Sequence, residues 1–166
     1  MTLDANALKT AMLSATLNDL SAETALSDLG NAIALYLLNN TVLTFTWVDP
    51  SGTYTAIGAI ISLTITLTPS LGIVYGAGHD FIRDQIQAGL TADLFNITDP
   101  GYSTSPASMI DAPAFDLRIG TTTSRDDAFF DLASRIVNQF KAYQPGQPIS
   151  GARGTESGST TLCIIS

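Results

Sequence analysis

TVLTFTWVDPSGTYTAIGAIISLTITLT, residues 41–68, is the stretch that decides the fold. Leu43, Phe45 and Trp47 alternate with Thr44 and Thr46, the period of two that places successive side chains on opposite faces of a strand. Asp49-Pro50-Ser51-Gly52 follows as a turn, with Pro presetting its backbone angle and Gly tolerating the reversal. The return alternates again: Ile57, Ala59, Ile61, Leu63, Ile65 and Leu67 are assigned to one face, and Ser62, Thr64, Thr66 and Thr68 to the other. A long β-hairpin is therefore expected, its second arm outrunning its first. The overhang must find another strand, bend at Gly58, or stay an edge to which a neighbouring chain can add. The same alternation argues against a membrane span, because the apolar run from Ala56 to Leu67 is too short and too often interrupted by hydroxyls.

Around this hairpin the spacing becomes helical. Asp4 is placed to cap a first helix reaching about Asn18, with Leu8, Met12 and Ala15 on one stripe. Ser21 caps a second, in which Ala25, Leu26, Leu29, Ile33, Tyr36 and Leu37 recur until Asn39-Asn40. Together these predict an N-terminal helical hairpin. Beyond the Gly-rich residues 72–78, Ile82, Ile86, Leu90 and Leu94 predict a third helix from about Asp80 to Phe95. Phe115, Leu117 and Ile119 alternate as in a strand. Ser124-Arg125-Asp126-Asp127 reads as a capping box with Asp in the usual Glu position, opening a helix with Phe129, Leu132, Ala133, Ile136, Val137 and Phe140 buried.

The fold class expected is α+β: a helical hairpin, a long β-hairpin in an antiparallel or mixed sheet, two further amphipathic helices, and an extended C-terminal arm. Residues 1–145 form the domain. Residues 146–166 form a Gly/Ser-rich arm whose apolar tip, Leu162-Cys163-Ile164-Ile165, docks either on its own sheet or on a neighbouring subunit.

Composition narrows the functional classes. The chain has 166 residues, enough for one domain with a real core. Only 13% of them are charged, and the net charge is −8. A negative chain repels phosphates, which argues against nucleic-acid binding as its main role. A polar surface rich in neutral Ser and Thr loses less hydration energy on burial than a charged one, which suits subunit contacts. The opening Met1-Thr2-Leu3-Asp4 has the character of an amphipathic helix rather than a signal peptide, so synthesis in the cytoplasm without export is expected.

Recognisable chemistry is sparse. Gly76-Ala77-Gly78 precedes a helix, but Phe81 stands where a dinucleotide fingerprint needs glycine and no Lys-Ser or Lys-Thr follows; a permissive turn explains it. His79, Asp80 and Asp84 are better read as acids at a helix start than as metal ligands, and Asp126, Asp127 and Asp131 likewise. One cysteine and one histidine do not furnish a zinc site, and no nucleophile elbow surrounds any serine. No catalytic residue, cofactor or metal is assigned. The interface residues assigned are Ser62, Thr64, Thr66 and Thr68 on the hairpin overhang, and Leu162, Cys163, Ile164 and Ile165 on the arm tip. Trp47 is assigned to the core and Tyr54 to the surface.

The run Leu26-Ser27-Asp28-Leu29-Gly30-Asn31-Ala32-Ile33-Ala34-Leu35-Tyr36-Leu37-Leu38-Asn39-Asn40-Thr41-Val42, after a short N-terminal helix, resembles the opening of small structural proteins of tailed-bacteriophage virions. The resemblance covers the first third of the chain. It implies a non-enzymatic, multicopy component of the neck, tail, baseplate or head surface, located in the virion. Its partners would be other copies of itself and neighbouring virion proteins. The competing readings are a small-ligand or glycan-binding module and, behind it, a small hydrolase or transferase without a familiar motif.

Overall fold

Asp4 opens the first helix by accepting the Ala7 N–H at 2.8 Å, in a computed structural model that describes residues 3–69, 84–89, 94–108, 124–142 and 148–166. Helix α1 (Ala5–Ala15) buries Leu8 and Met12 and closes at Thr16. Ser21 accepts the Thr24 N–H at 3.1 Å and starts α2 (Ala22–Asn40), which buries Leu29, Ile33 and Leu37. The Tyr36 hydroxyl ties the two helices together, accepting from the Asp4 N–H at 2.8 Å and donating to the Asp4 carbonyl at 2.9 Å.

Strands β1 (Leu43–Asp49) and β2 (Gly52–Ser62) pair antiparallel, with Asp49 opposite Gly52 across the turn. Gly52 has φ 143°, a region that glycine enters without the steric cost of a side chain. Residues 84–89 are helical (α3). There follow β3 (Leu94–Ile97), β4 (Tyr102–Thr104), β5 (Ala107–Ser108), α4 (Arg125–Ala142), β6 (Ser150–Arg153) and β7 (Glu156–Ile165). Among the described residues the strands form a seven-stranded sheet in the order β4-β6-β7-β1-β2-β3-β5, every pairing antiparallel. The two edge strands, β4 and β5, are consecutive in the chain, and the Thr104 hydroxyl donates to Asn96 Oδ1 at 2.6 Å. The sheet is thus curled almost into a barrel, with an α+β architecture.

The inner face of the sheet carries Leu43, Phe45, Trp47, Ala56, Ile60, Phe95, Cys163 and Ile165, all buried against the helices. Helix α4 buries Leu132, Ala133, Ile136, Val137 and Phe140. It begins at a serine cap: Ser124 Oγ accepts the Asp127 N–H at 3.1 Å and donates to the Asp127 carboxylate at 2.7 Å, in place of the backbone bond of a full capping box. Helix α4 is fastened to α1 by Lys9–Asp126 at 3.0 Å and by Arg125 Nη2, which donates to the Thr16 carbonyl at 2.9 Å.

Two expectations need correction. The return arm does not keep one face throughout. In β2 the buried residues are Ala56, Gly58 and Ile60, while Ile57 and Ile61 point outward. A register shift against β3 between Ile60 and Ser62 then reverses the parity, so that Ile65 and Leu67 turn inward. A bulge adds one residue to one strand, and with a period of two one residue is enough to exchange the faces. Past Ser62 the chain leaves the ladder and crosses α2, where a Cβ on Gly30 would lie 2.5 Å from the Ile65 carbonyl oxygen.

The third helix does not extend to Phe95. Leu94 and Phe95 belong to β3, where the Phe95 ring is buried and stacks on Phe45 at 6.0 Å. The apolar spacing continued one step past the helix because Phe95 and Ile97 carry a strand's alternation instead. Residues 80–83 and 90–93, and the strand expected at Phe115–Ile119, lie outside the described residues.

The C-terminal segment is not an appendage to the sheet: of the two docking modes left open for its apolar tip, the one on the chain's own sheet is seen. Strand β7 lies inside the sheet, between β6 and β1, and it buries Thr160, Cys163 and Ile165. Two of the glycines that made the segment look unstructured, Gly151 and Gly158, stand where the backbone has no room. A Cβ at Gly158 would collide with the Val48 carbonyl oxygen, and one at Gly151 with that of Ser103. Glycine here serves close strand packing rather than flexibility.

Candidate functional site

Among the described residues, the outer face of β7, β1 and β2 carries a group of exposed apolar side chains. Cross-strand partners share a face, and Thr44 pairs with both Ile57 and Ile164, so these three stand in one row. Thr46 pairs with Thr55 on one side and Leu162 on the other. Ile164 is 54% exposed, Ile57 50%, Ile61 46% and Leu162 44%, whereas Thr44 and Thr46 between them are half-buried. The relief is therefore two apolar ridges, on β7 and β2, flanking a threonine furrow on β1. From Thr53 to Ile61, Val42 to Val48 and Leu162 to Ile164, no outward side chain is charged. Asp99 marks the rim, where its carboxylate accepts the Ile57 N–H at 2.5 Å.

The residues assigned from sequence are divided by this geometry. Leu162 and Ile164 lie on the bare face, but Cys163 and Ile165 point into the core and are withdrawn as interface residues, because neighbours on a strand face opposite ways. Burial pushes the Cys163 thiol up to about 12, so it stays protonated and unreactive. Ser62, Thr64, Thr66 and Thr68 are exposed; Ser62 ends β2, where it pairs with Leu94, and the three threonines lie on the segment that crosses α2 rather than on a strand overhang. Thr68 is tied to α3, its N–H donating to Gln85 Oε1 at 2.9 Å. Ile57 and Ile61 were missed in the sequence. The signal that could have found them is the glycine at 58, whose face is too crowded for any side chain: a Cβ there would run into the Phe45 ring and the Asn96 carbonyl.

The main charged cluster lies where three turns meet. The Asp49 carboxylate is shut off from solvent and accepts from Trp47 Nε1 at 3.1 Å, the Ser51 N–H at 2.9 Å and Arg153 Nε at 2.9 Å. The Arg153 guanidinium lies 3.5 Å over the Tyr54 ring, which makes Tyr54 part of this cluster rather than a free surface aromatic. Tyr102 meets Trp47 edge-on at 5.3 Å, and the Gly154 N–H bonds the Gly101 carbonyl at 2.9 Å. The Arg153 hydrogen bond holds the Asp49 carboxyl below its ordinary range against the opposing effect of burial. The same bond raises Arg153. Burial is the main cause that pushes the Tyr102 hydroxyl up. With its donors directed onto a buried carboxylate, the cluster works as a clasp between β1 and the β6–β7 turn.

A depressed folded-state pKa contributes stability above the unfolded value and loses it as pH falls through the folded one. Asp49→Asn should therefore melt well below the wild type at neutral pH. The gap should close as pH is lowered through the ordinary carboxylate range, about 4, and further below it, as the unfolded carboxyl and then the depressed folded one take up protons. Thermal melts of both proteins across that range check this, and a gap that stays constant would remove the ionised clasp as its source.

The Asp19 carboxyl behaves oppositely. Burial first, then the charge of Asp28 and a hydrogen bond with it, raise the Asp19 carboxyl, and Arg125 partly offsets them. Asp19 Oδ2 is buried without a hydrogen-bond partner. Asp28 also borders an open groove of about 380 Å³ between α1 and α2, walled by Ala11, Ala15, Ala32 and Leu35.

Gly76–Gly78, His79 and Asp80 lie outside the described residues. Of the other acids considered as ligands, Asp126 pairs with Lys9, Asp127 closes the α4 cap, and Asp131 pairs with Arg135 at 3.0 Å. Among the described residues no three side chains of His, Cys, Asp or Glu converge as a metal site would require, and no helix is long and apolar enough to cross a membrane. The chain matches no protein-family model, no curated protein and no solved structure.

Proposed function

We propose that the chain is a non-enzymatic structural subunit of a tailed-phage virion, present in several copies and acting through its contacts with neighbouring subunits. The observation that carries this reading is the uncharged ridge-and-furrow face of β7, β1 and β2. Half-exposed Ile57, Ile61, Leu162 and Ile164 gather there in a chain that is otherwise net negative. Apolar side chains collected on one sheet face mark a surface that gains by being covered. The phage assignment itself rests on the resemblance of residues 26–42 described above.

The groove between α1 and α2 favours a second reading, a small-ligand or glycan-binding module. Ala11, Ala15, Ala32 and Leu35 share its walls with Asp28, Asn31, Asn39 and Asn40, and the hydroxyl of Tyr36, its aromatic side chain, is already engaged with Asp4. Quantitative mass spectrometry of density-banded particles from cells that produce the chain decides between them. Several copies per particle are expected. A chain that remains wholly in the soluble fraction would overturn the structural reading, and saturable binding on a glycan array would favour the module.

A further inference from the structure

We propose that the turn between α1 and α2 is a proton-operated latch: Asp19 and Asp28 share one proton while the turn lies closed on α2, and the turn is released when both carboxyls ionise. This goes beyond the assembly reading and does not depend on it. The turn is anchored at both ends. Thr16, buried at the end of α1, accepts from Arg125 Nη2 of α4 through its carbonyl at 2.9 Å, and Ser21 caps α2 through the Thr24 N–H. Between these anchors Leu17, Asn18 and Leu20 are exposed, and Asp19 is the one side chain of residues 17–20 that is partly covered. The inward contact of the turn is therefore a carboxyl.

Asp28 is the group it meets. Asp28 lies on the second turn of α2 and, with Ala15, the last residue of α1, also lines the groove between the two helices. Ionised carboxylates accept hydrogen bonds and donate none, so a bond between two of them exists only when one carries a proton. Asp19 Oδ2 is buried, and the chain supplies it no N–H or hydroxyl donor. A proton shared with Asp28 is what satisfies it in the closed turn. Without that proton a buried acceptor is left unpaired beside a like charge, and both effects oppose closure.

The surrounding charges do not remove this conflict. Those that reach Asp19 are Asp28 from α2 and Arg125 from α4. Arg125 offsets only part, because its Nη2 is directed at the Thr16 carbonyl and hydroxyl. On α1, Lys9 is paired with Asp126 at 3.0 Å. Burial and then Asp28 thus push the Asp19 carboxyl up. A carboxyl raised in the folded state stabilises it below the unfolded value and loses that contribution as pH rises through the folded one. The latch is closed in acid and released as the pH rises.

NMR on the full-length chain from about pH 4 to about pH 8, a span that starts at the ordinary carboxyl range, tests the latch. Carboxyl-carbon spectra, assigned with Asp19→Asn, should give Asp19 a midpoint above the value of about 4 for an unfolded carboxyl. Backbone order parameters of residues 17–20 should lie near about 0.85 below that midpoint and fall toward about 0.6 above it, from rigid to flexible backbone. In Asp28→Asn the side-chain amide donates to Asp19 at every pH, so the order should stay high and level. If circular dichroism shows that Asp28→Asn does not fold, Asp19→Asn takes its place, its amide donating to Asp28. An Asp19 midpoint in the ordinary range would overturn the latch. So would order that does not change across the midpoint, or an amide variant that keeps the wild-type pH dependence.

Discussion

Ending the chain at Pro145 should abolish cooperative unfolding. The truncation removes β6 and β7, and β7 is a central strand paired to β1 on one side and β6 on the other. It takes away buried Ile149, Cys163 and Ile165. Each such side chain contributes about 1.5–3 kcal/mol when fully buried, and each ladder hydrogen bond contributes about 1 kcal/mol net. A ten-residue strand with neighbours on both sides therefore accounts for much of the 5–15 kcal/mol by which a domain is usually stable. The inner face of β1, with Phe45 and Trp47, also loses one of its flanking strands. Urea titration followed by circular dichroism and Trp47 fluorescence should show a gradual slope where the full chain shows a sigmoid. A synthetic peptide of residues 146–166 should restore the sigmoid if β7 supplies only its strand. A truncated protein that keeps a sharp transition would return the segment to the status of a separate arm.

The sequence left two docking modes open for this same strand, and the reason is physical. Gly and Ser lower the apolar content of a segment whether it is disordered or squeezed, and only three-dimensional contacts separate the two cases. At Gly158 a side chain would strike the Val48 carbonyl, and at Gly151 that of Ser103. The carbonyls that crowd these glycines lie far off in the chain, beyond any local pattern: Val48 is 110 residues before Gly158 (158 − 48) and Ser103 is 48 before Gly151 (151 − 103). By contrast, α1, α2 and α4 were legible because their caps and apolar stripes are local: Asp4, Ser21 and Ser124 each bond an N–H three residues on. The alternation of Leu43, Phe45 and Trp47 is equally local, and those three are buried together.

The candidate site was half legible for a related reason. Leu162 and Ile164 could be suspected because four apolar residues follow a polar stretch, but which two face outward depends on the register of β7 against β1. Ile57 and Ile61 were assigned to the core face because an alternation was extended unbroken from 57 to 67. The shift between Ile60 and Ser62 has no signature in the residues themselves, since Ala56, Ile57, Ile60 and Ile61 are all apolar. Where both faces of a strand read as apolar, as they do here, the bare face is the informative one, because exposed Ile on a central strand has no role in the core.

Trp47→Ala should be the most damaging single substitution in the sheet, costing about 3–5 kcal/mol, as truncation of a fully buried aromatic does. Trp47 has no exposed surface, meets Tyr102 edge-on at 5.3 Å, and donates its Nε1 hydrogen to Asp49. It also fills the space beside Gly158, where a Cβ would come within 2.9 Å of its ring, so a void there opens against β7 as well. At the usual 2–4 °C per kcal/mol for a chain of this size, the melting temperature should drop by roughly 10 °C. Trp47→Phe separates the contributions: it keeps most of the ring against Tyr102 but removes the donor to Asp49, leaving that carboxylate with Arg153 and the Ser51 N–H. The Phe variant should fall between wild type and Ala, and its deficit should shrink below about pH 4, where Asp49 becomes protonated in the unfolded chain and then in the folded one. The Ala deficit should persist at low pH, because a cavity does not titrate. An Ala variant that loses less than about 1 kcal/mol would mean that the core beside β7 is loosely packed, and β7 would then no longer be the strand on which cooperative folding depends.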